Sequence, residues 1–339
     1  MQKAIIIEQV GSPALPRERP IPEPGHNQLL VRVTTTSLSP ADQKTRDEGL
    51  FFKEPPQVLG HEIAGEVIKL GQGTEASEFS IGEHILAQAN FFPGQTLTDA
   101  GALQQYVVVD ARFAAKTEEA GLSDDEGTTI PVCAIASFIA MFHSTGLKLP
   151  IPPSANTPLL TPSELRNKAI LIIGGGSNCG RYAIQFARLS RFSQIITIAS
   201  ARKEAELKDL GASHVIDRHS GFDESVRKVR AITRDELIYV FDAVNMAPKQ
   251  DLGLAALSNS KKGQLILLIV SLMLTLILLL LGRRLPVAVA FWRNIAGWVK
   301  AGWVRPSKFV VVEGLDAVEV NRALDGYRDG QGQKIVVKP

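Results

Sequence analysis

AILIIGGGSNCGRYAIQFARLS, residues 169–190, passes from five apolar β-type residues into a glycine run and then into a helical pattern. Gly174, Gly175, Gly176 and Gly180 stand between strand and helix, with Ser177, Asn178 and Cys179 among them. Glycines at such a junction allow a tight turn and let backbone N–H groups approach a pyrophosphate at the helix N-terminus. The spacing G-x-G-x-x-x-G departs by one residue from the usual dinucleotide fingerprint. A glycine run alone could be a plain turn. With a strand before it and another strand about 20 residues on, it reads as a nucleotide loop.

The chain beyond this stretch alternates. QIITIAS (194–200) is a second strand and ARKEAELKDLG a helix ending on Gly211; SHVID (213–217) and ELIYVFDAV (236–244) are further strands around a helical DESVRKVRAI. Solid apolar strands alternating with helices predict a doubly wound parallel sheet covered on both faces. The end of the second strand is where the two nicotinamide cofactors are told apart, because an acidic side chain there would repel a 2′-phosphate. This sequence has Ser200, Ala201, Arg202 and Lys203 instead, a hydroxyl and two cations that suit NADP(H).

The two chain ends have a different texture. AIII (4–7), LLVRVTT (29–35), IAGEVIKL (63–70), HILAQA (84–89) and YVVV (106–109) are short β-type runs punctuated by Gly and Pro, and FVVVEG (309–314) and KIVVK (334–338) return to that pattern. The expected fold class is therefore α/β, a β-barrel-like domain made from both ends and enclosing a nucleotide-binding domain. With 339 residues, a net charge of +2 and no basic run longer than a pair, the chain does not read as a nucleic-acid binder. Two cysteines fit no disulfide framework and the N-terminus lacks a signal-peptide pattern, so a cytoplasmic protein is expected.

GHEIAGEVIKLG (60–71), IGEHILAQ (81–88), PVCAIASFIAMFHSTGL (131–147) and the GGGSNCG loop together resemble the medium-chain dehydrogenase/reductase superfamily. The zinc-free fungal members, similar to quinone oxidoreductases and trans-acting enoyl reductases, resemble it most, over roughly residues 1–268 and 290–339. The resemblance implies a GroES-like β-barrel domain at 1–130, completed by 305–339, and a Rossmann NADP-binding domain at 131–304. Motif against motif, Ser39 stands where zinc-dependent relatives have a first cysteine ligand, His61 and Glu62 come from GHE, and Cys133 falls at the last ligand. A serine hydroxyl is a poor substitute for a thiolate, and the region that would carry a structural zinc, around Leu86 to Leu103, has no cysteine. No bound metal is expected. SPADQK (39–44) matches the S/N-P-x-D-x-K motif of zinc-free members, which makes Asp42 and Lys44, with His61, the candidate catalytic residues. Asp42 and Lys44 would position substrate, deliver a proton or stabilise an enolate. Asp242, Ala243 and Val244 resemble the segment lining the nicotinamide ribose, and Arg218 sits where relatives often place an adenosine-phosphate contact.

The expectation that follows is an NADPH-dependent, zinc-independent oxidoreductase, a monomer or homodimer, reducing an activated C=C bond or a quinone of a small-molecule substrate. The competing readings are a zinc-type alcohol or carbonyl dehydrogenase and a non-catalytic NADPH-binding protein. One stretch stands apart, LILLIVSLMLTLILLLL at 265–281. Its first residues fit the next Rossmann strand. For 265–281 as a whole, a membrane span competes with burial against the sheet or in an oligomer interface, and residues 270–287 are read either as a natural segment or as one brought in by a gene-model error. About 17 apolar residues in a helix reach only about 25 Å, short for a bilayer core, which argues against membrane association.

Overall fold

The computed structural model describes residues 1–50, 54–73, 75–89, 99–155, 165–245, 249–268, 286–330 and 333–339. The chain divides into two compact units, one of Met1–Val132, Trp292–Lys300 and Arg305–Pro339, the other of Cys133–Phe291 and Ala301–Val304. Where the sequence suggests breaks at 130/131 and 304/305, this division runs through the helix Pro286–Lys300.

The first unit is built on a sheet whose strands run in the order Val310–Glu313, Ile335–Lys338, Gln28–Leu38, Glu62–Leu70, His84–Gln88 and Ala114–Lys116, with Tyr106–Asp110 also paired to Gln28–Leu38. Alternate residues point one way along a strand. Leu29, Val31 and Val33 therefore meet Ile63, Val67, Ile85, Val107 and Val109 in one core cluster. A second cluster joins the chain ends: Val320 and Leu324 of the helix Ala317–Arg328 pack with Ile5, Ile7, Leu38, Leu59, Leu103 and Val337.

A buried charge pair locks the same closure. Glu62, at the start of its strand, and Lys334, just before the last strand, are both buried, and their carboxylate and ammonium are in direct contact. Ser37 Oγ donates to the same carboxylate at 2.6 Å, and the Val132 N–H donates to its other oxygen at 2.7 Å. A buried ion pair persists only where further hydrogen bonds offset its desolvation, and both carboxylate oxygens meet that condition here.

The second unit carries a five-stranded sheet in the order His214–Asp217, Gln194–Ala199, Ala169–Ile173, Tyr239–Asp242 and Gln264–Leu267, parallel at every pairing. Numbered along the sheet, this is the 3-2-1-4-5 order of a doubly wound fold, whose winding reverses beside the first strand. All five residues of Ala169–Ile173 are buried, as a central strand covered on both faces requires. Helix Pro131–Phe142 contributes Phe138 and Phe142 to an aromatic cluster with Phe186 and Phe291. Leu265 to Leu267 do form a strand paired with Val240 to Asp242; the apolar run over 269–285 lies outside the described residues. Among the described residues, one helical stretch is long and apolar enough to cross a membrane, Asp124–Phe142, and it is 83% buried within the protein.

Replacing Lys334 by Met leaves the Glu62 carboxylate buried without its counter-charge. Urea unfolding of Lys334→Met is expected to show a loss of about 3–5 kcal/mol relative to wild type; a loss below about 1 kcal/mol would contradict a closure that depends on this pair.

Candidate functional site

The glycine loop of the second unit is shaped by close approaches that leave no room for side chains. A Cβ on Gly175 would lie 1.9 Å from Thr197 Oγ1, and one on Gly180 would lie 2.2 Å from the Gly174 carbonyl oxygen. Gly174 has φ +81°, and a Cβ there would meet Val244 Cγ1 at 2.4 Å. The chain thus turns from Ile173 into the helix Asn178–Leu189 within four residues. Ser177 caps that helix: its Oγ accepts from the Gly180 N–H at 3.0 Å and donates to the Gly174 carbonyl at 2.8 Å. Beside the loop, Asp242 is buried and accepts from the N–H groups of Val244 and Asn245 and from the Asn245 amide. The Ala243 N–H donates to the Ile173 carbonyl at 3.0 Å, which holds this segment against the end of the central strand.

Cations gather at the same edge. Lys203 follows the second strand and places Nζ 2.8 Å from the Gly176 carbonyl oxygen. Burial, and next the positive charges of Arg181 and Arg218, hold its ammonium below the usual lysine range, with Glu206 pulling the other way. Arg181, in the first turn of the helix after the loop, is ion-paired to Glu206 at 2.7 Å. Arg202 and Arg218 are exposed, and the Arg218 N–H donates to the Ala199 carbonyl, which sets it beside the end of the second strand.

In the first unit, Ser39 precedes the helix Pro40–Glu48 and Asp42 lies in its first turn. Asp42 is buried; its Oδ2 accepts from the Ser39 N–H at 2.7 Å and from Ser39 Oγ at 2.8 Å, and its Oδ1 lies 2.6 Å from His61 Nδ1. Burial pushes the Asp42 carboxyl up, but the His61 charge, its hydrogen bond and the two Ser39 donors outweigh it, and the net direction is below the ordinary 3.8. A carboxylate held ionised in this way is an acceptor for a ring N–H at Nδ1 of His61, which orients the imidazole.

Residues 25–119 match the family described as alcohol dehydrogenase GroES-like domain. The chain is similar to the trans-enoyl reductase tndF of Aspergillus flavipes, 31% identical over 69% of this chain and 64% of the relative. It is also similar to the trans-enoyl reductase tazE of Aspergillus terreus, 30% identical over 68% of this chain and 73% of the relative. The chain belongs to the medium-chain dehydrogenase/reductase superfamily. An alcohol dehydrogenase superfamily protein from Novosphingobium aromaticivorans shares the fold, with a TM-score of 0.78 at 22% identity over the whole of both chains. The matches span only 58–64% of the length of three of the curated relatives.

In this medium-chain dehydrogenase/reductase, Asp42 and His61 come together as a buried pair, whereas Lys44 does not join them. It lies on the partly exposed side of its helix, where Nζ pairs with Glu48 one turn on at 3.0 Å. The loop residues Gly174 to Gly180, with Ser200, Lys203, Arg218 and Asp242 to Val244, all stand at the C-terminal edge of the central strands, as a switch-point site requires. The Arg181–Glu206 pair has no signature in the sequence. One sits just after the loop and the other on the next helix, and their pairing depends on packing between two helices that no local spacing signals. Ser39, at a position where zinc-dependent relatives carry a cysteine, supplies two of the donors on Asp42.

A group whose folded pKa is depressed contributes stability above its unfolded value that is lost as pH falls through the folded one. The stability difference between wild type and Asp42→Asn, measured by urea unfolding, is therefore expected to be largest above the ordinary aspartate value of 3.8 and to shrink below it. A difference independent of pH would contradict an ionised Asp42.

Proposed function

We propose that this chain is an NADPH-dependent, zinc-independent oxidoreductase that reduces an activated carbon–carbon double bond, as in an enone or enoyl thioester, or a quinone. The observation that carries the reading is the meeting of the glycine loop with Lys203 at the edge of a 3-2-1-4-5 sheet. The space that any Cβ on Gly175 or Gly180 would fill is what lets backbone N–H groups near a pyrophosphate. Ser200, Arg202, Lys203 and Arg218 around the end of the second strand suit a dianionic 2′-phosphate, with no acidic side chain at Ser200 to oppose it. The resemblance to proteins named trans-enoyl reductases supports the substrate class.

The donor set does not suit a catalytic zinc. Ser39 stands in place of a thiolate and its hydroxyl is turned to the Asp42 carboxylate, and among the described residues no three His, Cys, Asp or Glu side chains gather as ligands. No step here passes through a metal.

When bound, NADPH supplies a hydride to the β-carbon of the substrate. In this proposal His61 holds the proton that completes the reduction, and Asp42 stabilises its charged ring and fixes its orientation. The His61 charge and hydrogen bond, and after them two hydrogen bonds from Ser39, keep the Asp42 carboxylate ionised. Lys44, paired with Glu48, receives no role.

Steady-state NADPH oxidation against a panel of enones, enoyl thioesters and quinones is expected to show turnover with at least one class. His61→Gln is expected to lower kcat on the order of 100-fold while leaving NADPH affinity unchanged. Tight NADPH binding with no turnover on any member would favour a non-catalytic cofactor-binding protein instead.

A further inference from the structure

Arg181 is placed with unusual definition for a residue that follows a glycine loop. Its side chain is 13% exposed, Nη2 is engaged by Glu206 at 2.7 Å, and its N–H donates to the Ser177 carbonyl at 2.9 Å within the helix. Its Nε is buried and has no acceptor among the described residues. A buried guanidinium donor without an acceptor is unfavourable unless a ligand supplies one. The partner of its side chain among the described residues, Glu206, belongs to the helix Glu204–Leu210, which begins directly after Lys203. That helix packs on the helix carrying Arg181.

These contacts set two cations at one corner. Lys203 reaches back to the Gly176 carbonyl, and Arg181 projects from the first turn beyond the same loop. Their charges, with that of Arg218, are near enough to disfavour one another at Lys203, and Glu206 partly offsets this. Crowded cations with one internal carboxylate form a site that gains from an added dianion. A ribose hydroxyl would not relieve that repulsion; a phosphate would.

We propose that Arg181 is a specificity-determining residue of the cofactor site, held in place by Glu206 and donating to the 2′-phosphate of NADPH through the edge of the guanidinium that Glu206 leaves unused. Glu206 is then the resident counter-ion of the site, keeping Arg181 positioned while lowering the net charge the phosphate meets. This rests on the NADPH reading above and adds to it a residue that lies outside the turn following the second strand.

The test is equilibrium binding of 2′,5′-ADP and of 5′-ADP to the full chain, wild type against Arg181→Met, Arg181→Lys and Glu206→Gln. Wild type is expected to prefer 2′,5′-ADP. Arg181→Met is expected to weaken 2′,5′-ADP on the order of tenfold, equivalent to about 1.4 kcal/mol, while 5′-ADP stays within about twofold. Arg181→Lys recovers part of the loss. Glu206→Gln, whose amide oxygen still accepts from Arg181, tightens 2′,5′-ADP by about threefold as a unit of opposing charge is removed. If Arg181→Met weakens both ligands equally, or neither, the assignment of Arg181 is overturned while the NADPH reading stands. If wild type does not distinguish the two ligands, the NADPH reading falls and this proposal with it.

Discussion

The backbone of Gly180 lies against that of Gly174 and Gly175 so closely that one methyl group between them would overlap a carbonyl oxygen. Much else in the nucleotide-binding unit depends on that approach. It lets the fully buried central strand turn into its helix within four residues and brings Ser177 over both ends of the turn. It also directs the first helical turn, and Arg181 with it, toward the edge where Lys203 arrives from the second strand. Sheet order then does the rest, because the winding reverses beside this strand and leaves the loop facing the Asp242 turn rather than covered by a crossover.

The other unit depends on buried charge. His61 and Glu62 are consecutive, and each is matched to an opposite group from elsewhere in the sequence, Asp42 in one case and Lys334 in the other. The two pairs have different consequences. Glu62 and Lys334 tie the last strand to the sheet and carry hydrogen bonds on both carboxylate oxygens, which is a structural closure. Asp42 and His61 form a buried pair at 2.6 Å in which the carboxylate also accepts from Ser39. Adjacent backbone positions thus each hold a buried opposite charge from a distant part of the sequence.

Legibility followed the range of the interaction. Solid apolar runs such as AILII and the alternation in LLVRVTT mark strands because burial on one or two faces is written into consecutive residues. The glycine loop was legible because its glycines, strand and helix are contiguous. Asp42 and His61 are 19 residues apart and no periodicity joins them; separate motifs name each residue, and only the fold pairs them. Lys44, at the last position of the motif that holds Asp42, pairs with Glu48 one turn on, an i,i+4 relation also written in the sequence. Arg181 and Glu206 meet only through helix packing, and neither residue announces this in its neighbourhood. The apolar run was legible only over its first residues, where a strand partner exists.

On the proposed function, a hydride passes from NADPH to a carbon of the substrate. The most direct measurement of that step is the fate of label in single-turnover reduction of an enone by NADPH deuterated at the transferable C4 position, followed by mass spectrometry and NMR of the product. The account predicts one deuterium, at the β-carbon, with the second hydrogen drawn from solvent. A reduced product without cofactor-derived deuterium, or no reduced product from a protein saturated with NADPH and an activated substrate, would contradict it.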